Sequence, residues 1–462
     1  MIDATARAQL SDELIRRFGA SLRGIQLYSP THPIVARNLE GLSEALRALH
    51  QYDASVVIGM LGNELIVGDL PMTKASASMG ELIRRFGAMG IERITIERQV
   101  NLDELRAFAG KFAQLEKTLG GKALKEAAPQ LESSNIRVGR VVIDERVPED
   151  KTDASTIRRM YSEAVSVAST LWESARSDSA PDSTAAVSMI DSLAQAVVQN
   201  RSALMALTAL KEYDNYTFTH MVNVSILTMA QARGLGIDGP LLRDFGLAAL
   251  MHDIGKVKTP SEILNKPDKL TDEEFFIMKR HVVDGAEILR GSPDIPSLAP
   301  VVAFEHHLRI DGTGYPDGVT RPNLNLATML CGIADVYDAM RSQRRYQQAF
   351  PSERILAVLQ RNDGKQFDQN LIRRFVQLLG IYPVGNLVRL NTGEVAIVLQ
   401  VHAPDPYRPK VRVLFTADGA RFELPRDINL WETEPDMRDD RASSVMAPLN
   451  PADYEIDPLS FI

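Results

Sequence analysis

Apolar residues recur at helical spacing over 10–27 and 35–49, and the breaker SPTHP (29–33) between them predicts two helices meeting at a corner. The runs ASVVIGM (54–60) and ELIV (64–67) flank Gly62 and Asn63, a hairpin signal. RITIE (93–97) and residues 136–143 are further strand candidates, with a helix over 103–119 between them. Residues 1–146 are therefore expected to form an α+β domain of about four strands, with no chemistry of its own. PEDKTD (148–153) and SDSAPDST (177–184) are polar breaks, so 147–184 is expected to be a linker with a connecting helix. From 185 to 380 nearly every segment has helical periodicity, an all-α domain punctuated by Pro240, by the capping-box pattern TDEE (271–274), and by the stops Gly291 and Gly380. After Pro383 the pattern shortens to strand-like runs at 387–390, 395–401 and 411–415, separated by NTG (391–393), a proline-rich loop and DG (418–419). This predicts a small antiparallel β-barrel over 381–432. The acidic, aromatic-poor stretch 433–462 is expected to be a flexible tail.

Composition narrows the function classes. The chain of 462 residues has 52 basic and 60 acidic side chains, a formal net charge of −8, so no basic field recruits a nucleic acid polymer or an anionic membrane. No run of about 18 apolar residues occurs, and the start MIDATARAQLSDELIRR places acid and arginine where a signal peptide needs an apolar core. A cytoplasmic protein without a membrane span is expected. Cys331 is the single cysteine, which excludes an internal disulfide and any multi-thiolate zinc site. A metal centre would have to use imidazole and carboxylate.

Those groups are unevenly placed. Of eight histidines, five (His220, His252, His281, His306 and His307) fall in the helical region, together with Asp253 and Asp335. Imidazole with carboxylate suits divalent iron, manganese or zinc, and a carboxylate can offer one oxygen to each of two ions. His252 and Asp253 close the apolar stretch GLAALM (246–251), and burying two ionisable groups there is costly unless something compensates them. A metal is the natural compensation.

The stretch MHDIGK (251–256) carries the HD motif of the HD phosphohydrolases, and His306-His307 followed by DGTGYP (311–316) resembles the HD-GYP subfamily. The resemblance extends through DNYTFTH (214–220), ILNKP (263–267), KLTDEE (269–274) and ADVYDA (334–339), covering about 210–380, under half of the chain. It implies a cyclic di-GMP phosphodiesterase giving linear pGpG or GMP through a hydroxide activated by two metals, with iron or manganese favoured. It implies that one ion takes His220, His252 and Asp335, that the other takes His281, His306 and His307, and that Asp253 bridges them. Two such ions clamp a phosphodiester for in-line displacement without a protein nucleophile. Family members that hold a third metal carry a carboxylate where this chain has Tyr216, so two are expected.

Lys256 lies four residues after His252, so a persisting helix would place it one turn along the same face, near the transferring phosphate. With Asp253 it completes the expected catalytic pair. The Gly312–Pro316 loop resembles one that frames the substrate pocket and contacts other signalling proteins, diguanylate cyclases among them; Tyr315 there either stacks on guanine or shapes the loop. Among Arg341, Arg344 and Arg345, the family pattern selects Arg344 as the substrate contact. The chain departs from that pattern at Arg345, Gln347 and Leu308. Asp338 resembles a support for the site, and Asn223 shares a helix face with His220 and could orient it. His32, His50 and His402 are expected to be scaffold, and Cys331 a packed core residue. A homodimer through the helices of 154–212 is expected, with the first domain sensing a signal or binding a partner. The competing readings are a non-catalytic regulator acting through the Gly-Tyr-Pro loop and an HD hydrolase of another cyclic nucleotide.

Overall fold

The structure is a computed structural model that describes residues 4–28, 32–52, 54–61, 64–68, 70–72, 79–118, 128–139, 154–177, 183–199, 201–209, 216–292, 295–319, 324–341, 352–361, 364–432 and 444–461. The chain divides into a first unit of residues 1–142, to which 235–237 also belongs, and a second unit of the remainder.

In the first unit, α1 (Ala4–Leu27) and α2 (Pro33–Leu49) flank the breaker, of which 29–31 lie outside the described residues. His32 caps α2, its ring accepting from the Ile34 amide, and Pro33 fills the first turn where its missing N–H costs nothing. The strands β1 (Ser55–Leu61), β2 (Glu64–Val67), β3 (Leu70–Pro71), β4 (Arg93–Glu97) and β5 (Ile136–Gly139) form one antiparallel sheet in the order β3-β2-β1-β4-β5. The sequence pattern overlooks β3, which has only two residues. Helices α3 (Gly80–Ala88) and α4 (Leu102–Thr118) supply Phe86 and Phe112, whose rings lie 4.6 Å apart in a core shared with Phe18 of α1.

The second unit holds α5 (Ala154–Arg176), α6 (Ser183–Gln199), α7 (Arg201–Ala209), α8 (Tyr216–Gly234), α9 (Gly239–Leu250), α10 (Ser261–Leu264), α11 (Asp272–Lys279), α12 (His281–Arg290), α13 (Leu298–Glu305), α14 (Leu326–Arg341), α15 (Ser352–Arg361) and α16 (Gln369–Leu379). Polar breaks at 148–153 and 178–182 fall outside the described residues except for their margins. Helix α8 is buried continuously from Thr219 to Ala232, its apolar residues distributed around the axis, and packs against α9 and α14. The expected capping box is present at Thr271 and Glu274, and Gly380 ends α16 with a φ of 69°.

Helix α9 stops at Leu250, and the chain turns through 251–253 into a 3-10 segment, Ile254–Lys258. The helix therefore does not persist to Lys256, which is brought beside Asp253 by three-residue spacing instead. The 3-10 segment lies directly on α12. A Cβ on Gly255 would overlap the His281 carbonyl oxygen and the Gly285 amide, both of them backbone atoms that cannot swing away.

The C-terminal sheet corrects the expected barrel. The strands β6 (Leu387–Leu390), β7 (Val395–Gln400), β8 (Lys410–Phe415), β9 (Arg421–Asn429) and β10 (Val445–Leu449) run antiparallel in the order β10-β6-β7-β8-β9 and stay open, because β9 and β10 do not pair. Closure requires every strand to turn an apolar side inward. β9 is exposed along most of its length, with Leu424 87% accessible and Pro425 lacking an N–H. The missing fifth strand comes from the supposed tail: β10 pairs with β6, and the turns Pro451–Tyr454 and Pro458–Phe461 bring Ile456 and Leu459 into burial. Residues 433–443 of that stretch lie outside the described residues. No helix among the described residues is long and apolar enough to cross a membrane.

Gly255→Ala is expected to destabilise the helical unit by about 1–3 kcal/mol through overpacking against α12. Denaturant unfolding checks this, and an unchanged midpoint would contradict the close approach.

Candidate metal centre

Five elements of the helical unit converge on one buried point. His220 comes from α8, His252 and Asp253 from the turn after α9, and His281 from the first residue of α12. His306 and His307 follow α13, and Asp335 lies in α14. All except His307 are less than 9% exposed, and His307 is partly buried.

The ring orientations are set from behind. His252 donates from Nδ1 to the Ala249 carbonyl (2.7 Å), His281 to the Met278 carbonyl (2.7 Å), and His306 to the Ala303 carbonyl (2.9 Å). A carbonyl can only accept, so Nδ1 is the donor in each of these bonds, and Nε2 is the atom of each ring aimed into the site, a lone pair whenever the ring is neutral. His220 is held at Nδ1 by Asp338 Oδ2 at 2.8 Å, which turns its Nε2 toward Asp335 Oδ1 at 3.2 Å.

Asp253 stands between these rings. Its Oδ1 faces His281 Nε2 at 3.4 Å and His306 Nε2 at 3.6 Å, and its Oδ2 faces His252 Nε2 at 3.3 Å and His220 Nε2 at 3.8 Å. The side chain thus offers one oxygen to each of two ring sets. Two clusters follow, Asp253 with His281, His306 and His307, and Asp253 with His220 and His252, each with ligand atoms within 4.8 Å of one another. Asp335 Oδ1 adjoins the second cluster, 3.9 Å from His252 Nε2.

This arrangement is unfavourable without a cation. His281 Nε2 and His306 Nε2 lie 3.4 Å apart, both as acceptors, and neither His252 Nε2 nor Asp253 Oδ1 has a hydrogen-bond partner among the described residues. Buried acceptors left unpaired cost about 1–3 kcal/mol each. Divalent ions would supply the missing positive charge, and a donor set of imidazole nitrogen and carboxylate oxygen matches iron, manganese or zinc. The residues therefore fit two metal ions.

Electrostatics prepare the same atoms. Burial pushes His281 down to about 3 and His307 well below the ordinary range, so both rings are neutral. Burial also disfavours the His220 cation, but hydrogen bonds to Asp335 and Asp338 outweigh it and raise this ring to about 9. Asp335 is held well below the usual carboxylate range by its bond to His220, and Asp253 by the Lys256 ammonium, each against the opposing effect of burial. Lys256 pairs with Asp253 Oδ2 and is a quarter exposed, at the edge of the cluster.

The remaining candidates are placed differently. The Tyr315 ring leans on His307, 4.5 Å between centroids, and meets Phe275 of α11 edge-on at 6.1 Å. Burial raises its phenol far above the ordinary value, so it is neutral. Arg344, Arg345 and Gln347 lie outside the described residues. Arg341 turns away from the cluster, donating to Asp338 Oδ1 at 3.1 Å and to the Thr208 carbonyl. Asn223 donates to Asp338 Oδ1 at 2.9 Å rather than to His220 itself, and Tyr161 of α5 donates to Asn223 at 2.8 Å. Tyr161 carries no sequence signal; it sits in an unremarkable helix, 59 positions before His220 (220 − 161). His32 stacks on Tyr28, His50 ends α2, His402 stacks on Trp431, and Cys331 is buried.

Known proteins bear on this geometry. An HD-domain family matches residues 191–371, and a KOW domain associated with HD domains matches 387–435. The chain is 35% identical to the cyclic di-GMP phosphodiesterase PA4108 of Pseudomonas aeruginosa, over 72% of this chain and 80% of that one. It is 34% identical to the cyclic di-GMP phosphodiesterase response regulator RpfG of Xanthomonas campestris pv. campestris, over 40% of this chain and 49% of that one. It is also 33% identical to the 3'3'-cGAMP-specific phosphodiesterase 3 of Vibrio cholerae, over 36% of each. The chain thus spans about half or less of the latter two relatives.

Asp338→Asn should weaken divalent-metal binding about 10–100-fold, because the neutral amide no longer fixes His220 Nδ1 as a donor to a carboxylate. Equilibrium dialysis with Mn²⁺ checks it; an unchanged affinity would show that His220 needs no such support.

Proposed function

We propose, from the premise that this chain belongs to the HD-domain cyclic di-GMP phosphodiesterases, that its helical unit hydrolyses cyclic di-GMP to pGpG or GMP. The observation that carries the reading is the split of Asp253, whose two oxygens face two separate ring sets. His220, His252 and Asp335 would hold one divalent ion and His281, His306 and His307 the other, with Asp253 shared; the donors suit iron, manganese or zinc, and the family resemblance favours iron or manganese. Such ions supply Lewis acidity toward a phosphodiester and lower the pKa of water.

The chain's own residues do the rest. The backbone carbonyls behind His252, His281 and His306 hold the rings in orientation, with each Nε2 directed into the site before substrate arrives. Lys256, fixed by Asp253 and partly exposed, places a positive charge where phosphate oxygens would lie. Tyr315, packed on His307, walls the site on one side and presents a neutral aromatic ring to a purine. Arg344 is assigned to the phosphate or the guanine edge on its sequence pattern, since a planar fork suits either. Contact of the 312–316 loop with diguanylate cyclase-type proteins and dimerisation through 154–212 belong to the same proposal and rest on resemblance and on elimination.

A second reading has support from one relative: the named activity of the Vibrio cholerae protein extends the substrate class to 3'3'-cGAMP. A purely binding regulator is disfavoured, because it has no use for seven converging ligand groups.

Full-length protein purified without oxygen and supplied with Mn²⁺ or Fe²⁺ should turn over cyclic di-GMP faster than 3'3'-cGAMP in direct competition. Asp253→Ala should lower that rate by roughly 10²–10³-fold or more, the scale of a lost electrostatic contact to the transition state. Tight nucleotide binding without turnover by the metal-loaded wild type would sink the enzyme reading, and preference for 3'3'-cGAMP would move the substrate to the second.

A further inference from the structure

A buried hydrogen-bond chain leads from helix α5 to the candidate metal centre. Tyr161 is 8% exposed, and its hydroxyl donates to Asn223 Oδ1 at 2.8 Å. Asn223 Nδ2 donates to Asp338 Oδ1 at 2.9 Å, and Asp338 Oδ2 accepts from His220 Nδ1 at 2.8 Å. The direction of every bond is forced from the site outward. Asp338, fully buried beside Arg341 and His220, is an acceptor only, so the amide nitrogen of Asn223 must face it. The amide oxygen then faces Tyr161, whose hydroxyl must donate. Without that hydroxyl a buried carbonyl oxygen loses this partner, and turning the amide to satisfy it would set oxygen against the Asp338 carboxylate.

We propose that Tyr161 is a positioning residue for the metal centre: its hydroxyl locks Asn223, which locks Asp338, which fixes the ring of His220. Tyr161 lies outside the segment 191–371 that carries the HD-domain match. Its own helix is firmly seated. Ile157, Tyr161, Ala164, Ala168, Leu171 and Trp172 form the buried face of α5, and Trp172 meets Phe218, two residues before His220, at 6.1 Å. α5 also packs on the 3-10 segment Ile254–Lys258 that carries Lys256. In chain order α5 is the first described helix after the N-terminal unit, so the segment by which the chain enters the hydrolase unit also supports one metal ligand. A shift of α5 would act on His220 through three hydrogen bonds.

The inference rests on the assignment of His220 to a metal, and the test separates the two. Mn²⁺ is titrated into metal-free full-length protein, with thermal unfolding of the metal-free form recorded in parallel. Wild type should show two bound ions. Tyr161→Phe, which keeps the ring and removes only the hydroxyl, should weaken one of the two sites about tenfold, leave the other in place, and still give a single cooperative metal-free unfolding transition, lowered only by the loss of one buried hydrogen bond. In an Asp338→Asn background the same substitution should have no further effect, because the chain is already cut. Asn223→Ala, which leaves α5 untouched, should weaken the same single site and serves if Tyr161→Phe does not fold. Isotherms for Tyr161→Phe and Asn223→Ala that superimpose on wild type, or an equal loss in both backgrounds, would overturn the relay. Wild type that binds no Mn²⁺ would overturn the metal assignment and the relay with it.

Discussion

The helical unit is organised around a single carboxylate. Asp253 is buried, and its two oxygens are directed at two groups of imidazole nitrogens. Lone pairs and negative charge concentrated away from water are held only if every contributing element is rigid and if cations offset the repulsion. The first condition is visible in how the unit is built. Helix α8 is buried on all sides and clamped by α9 and α14; the turn after α9 is pressed onto α12 at Gly255; each ring except His220 and His307 is anchored to a carbonyl of its own preceding turn. His220 is the exception with a longer support, because its anchor is a carboxylate that must itself be oriented.

Charge is managed locally. A chain with a net charge of −8 has no long-range attraction for a doubly anionic dinucleotide. Lys256 at the edge of the cluster supplies positive charge locally, and any metal held by the cluster would add to it, where the low dielectric of the site makes each positive charge count for more than it would on the surface. The same low dielectric keeps His281 and His307 neutral and ready to ligate.

The sequence was most informative where chemistry is local. MHDIGK, the adjacent His306 and His307, and ADVYDA each place ligand groups at fixed offsets on one element, and the capping box at Thr271 is a four-residue signal. It was least informative where partners are distant in the chain. The strand β10 pairs with β6 across more than fifty residues, so an acidic stretch looked like a tail and an open sheet looked like a closed barrel. The continuation of α9 to Lys256 failed because only the close approach of Gly255 to α12, a tertiary contact, shows why the chain must turn there. Tyr161 was invisible for the same reason: a tyrosine on the apolar face of a connecting helix has core packing as its default explanation, and its hydroxyl acquires meaning only from Asn223 and Asp338.

The central claim is that one carboxylate joins two metal ions held by the separate ring sets. X-ray absorption at the metal edge of Mn- or Fe-loaded protein tests it directly. The account predicts nitrogen and oxygen ligation with no sulfur, imidazole multiple scattering, and a metal-to-metal path of about 3.5–4 Å that disappears in Asp253→Ala. A single isolated ion in the wild type, with no metal-to-metal path at full loading, would contradict it.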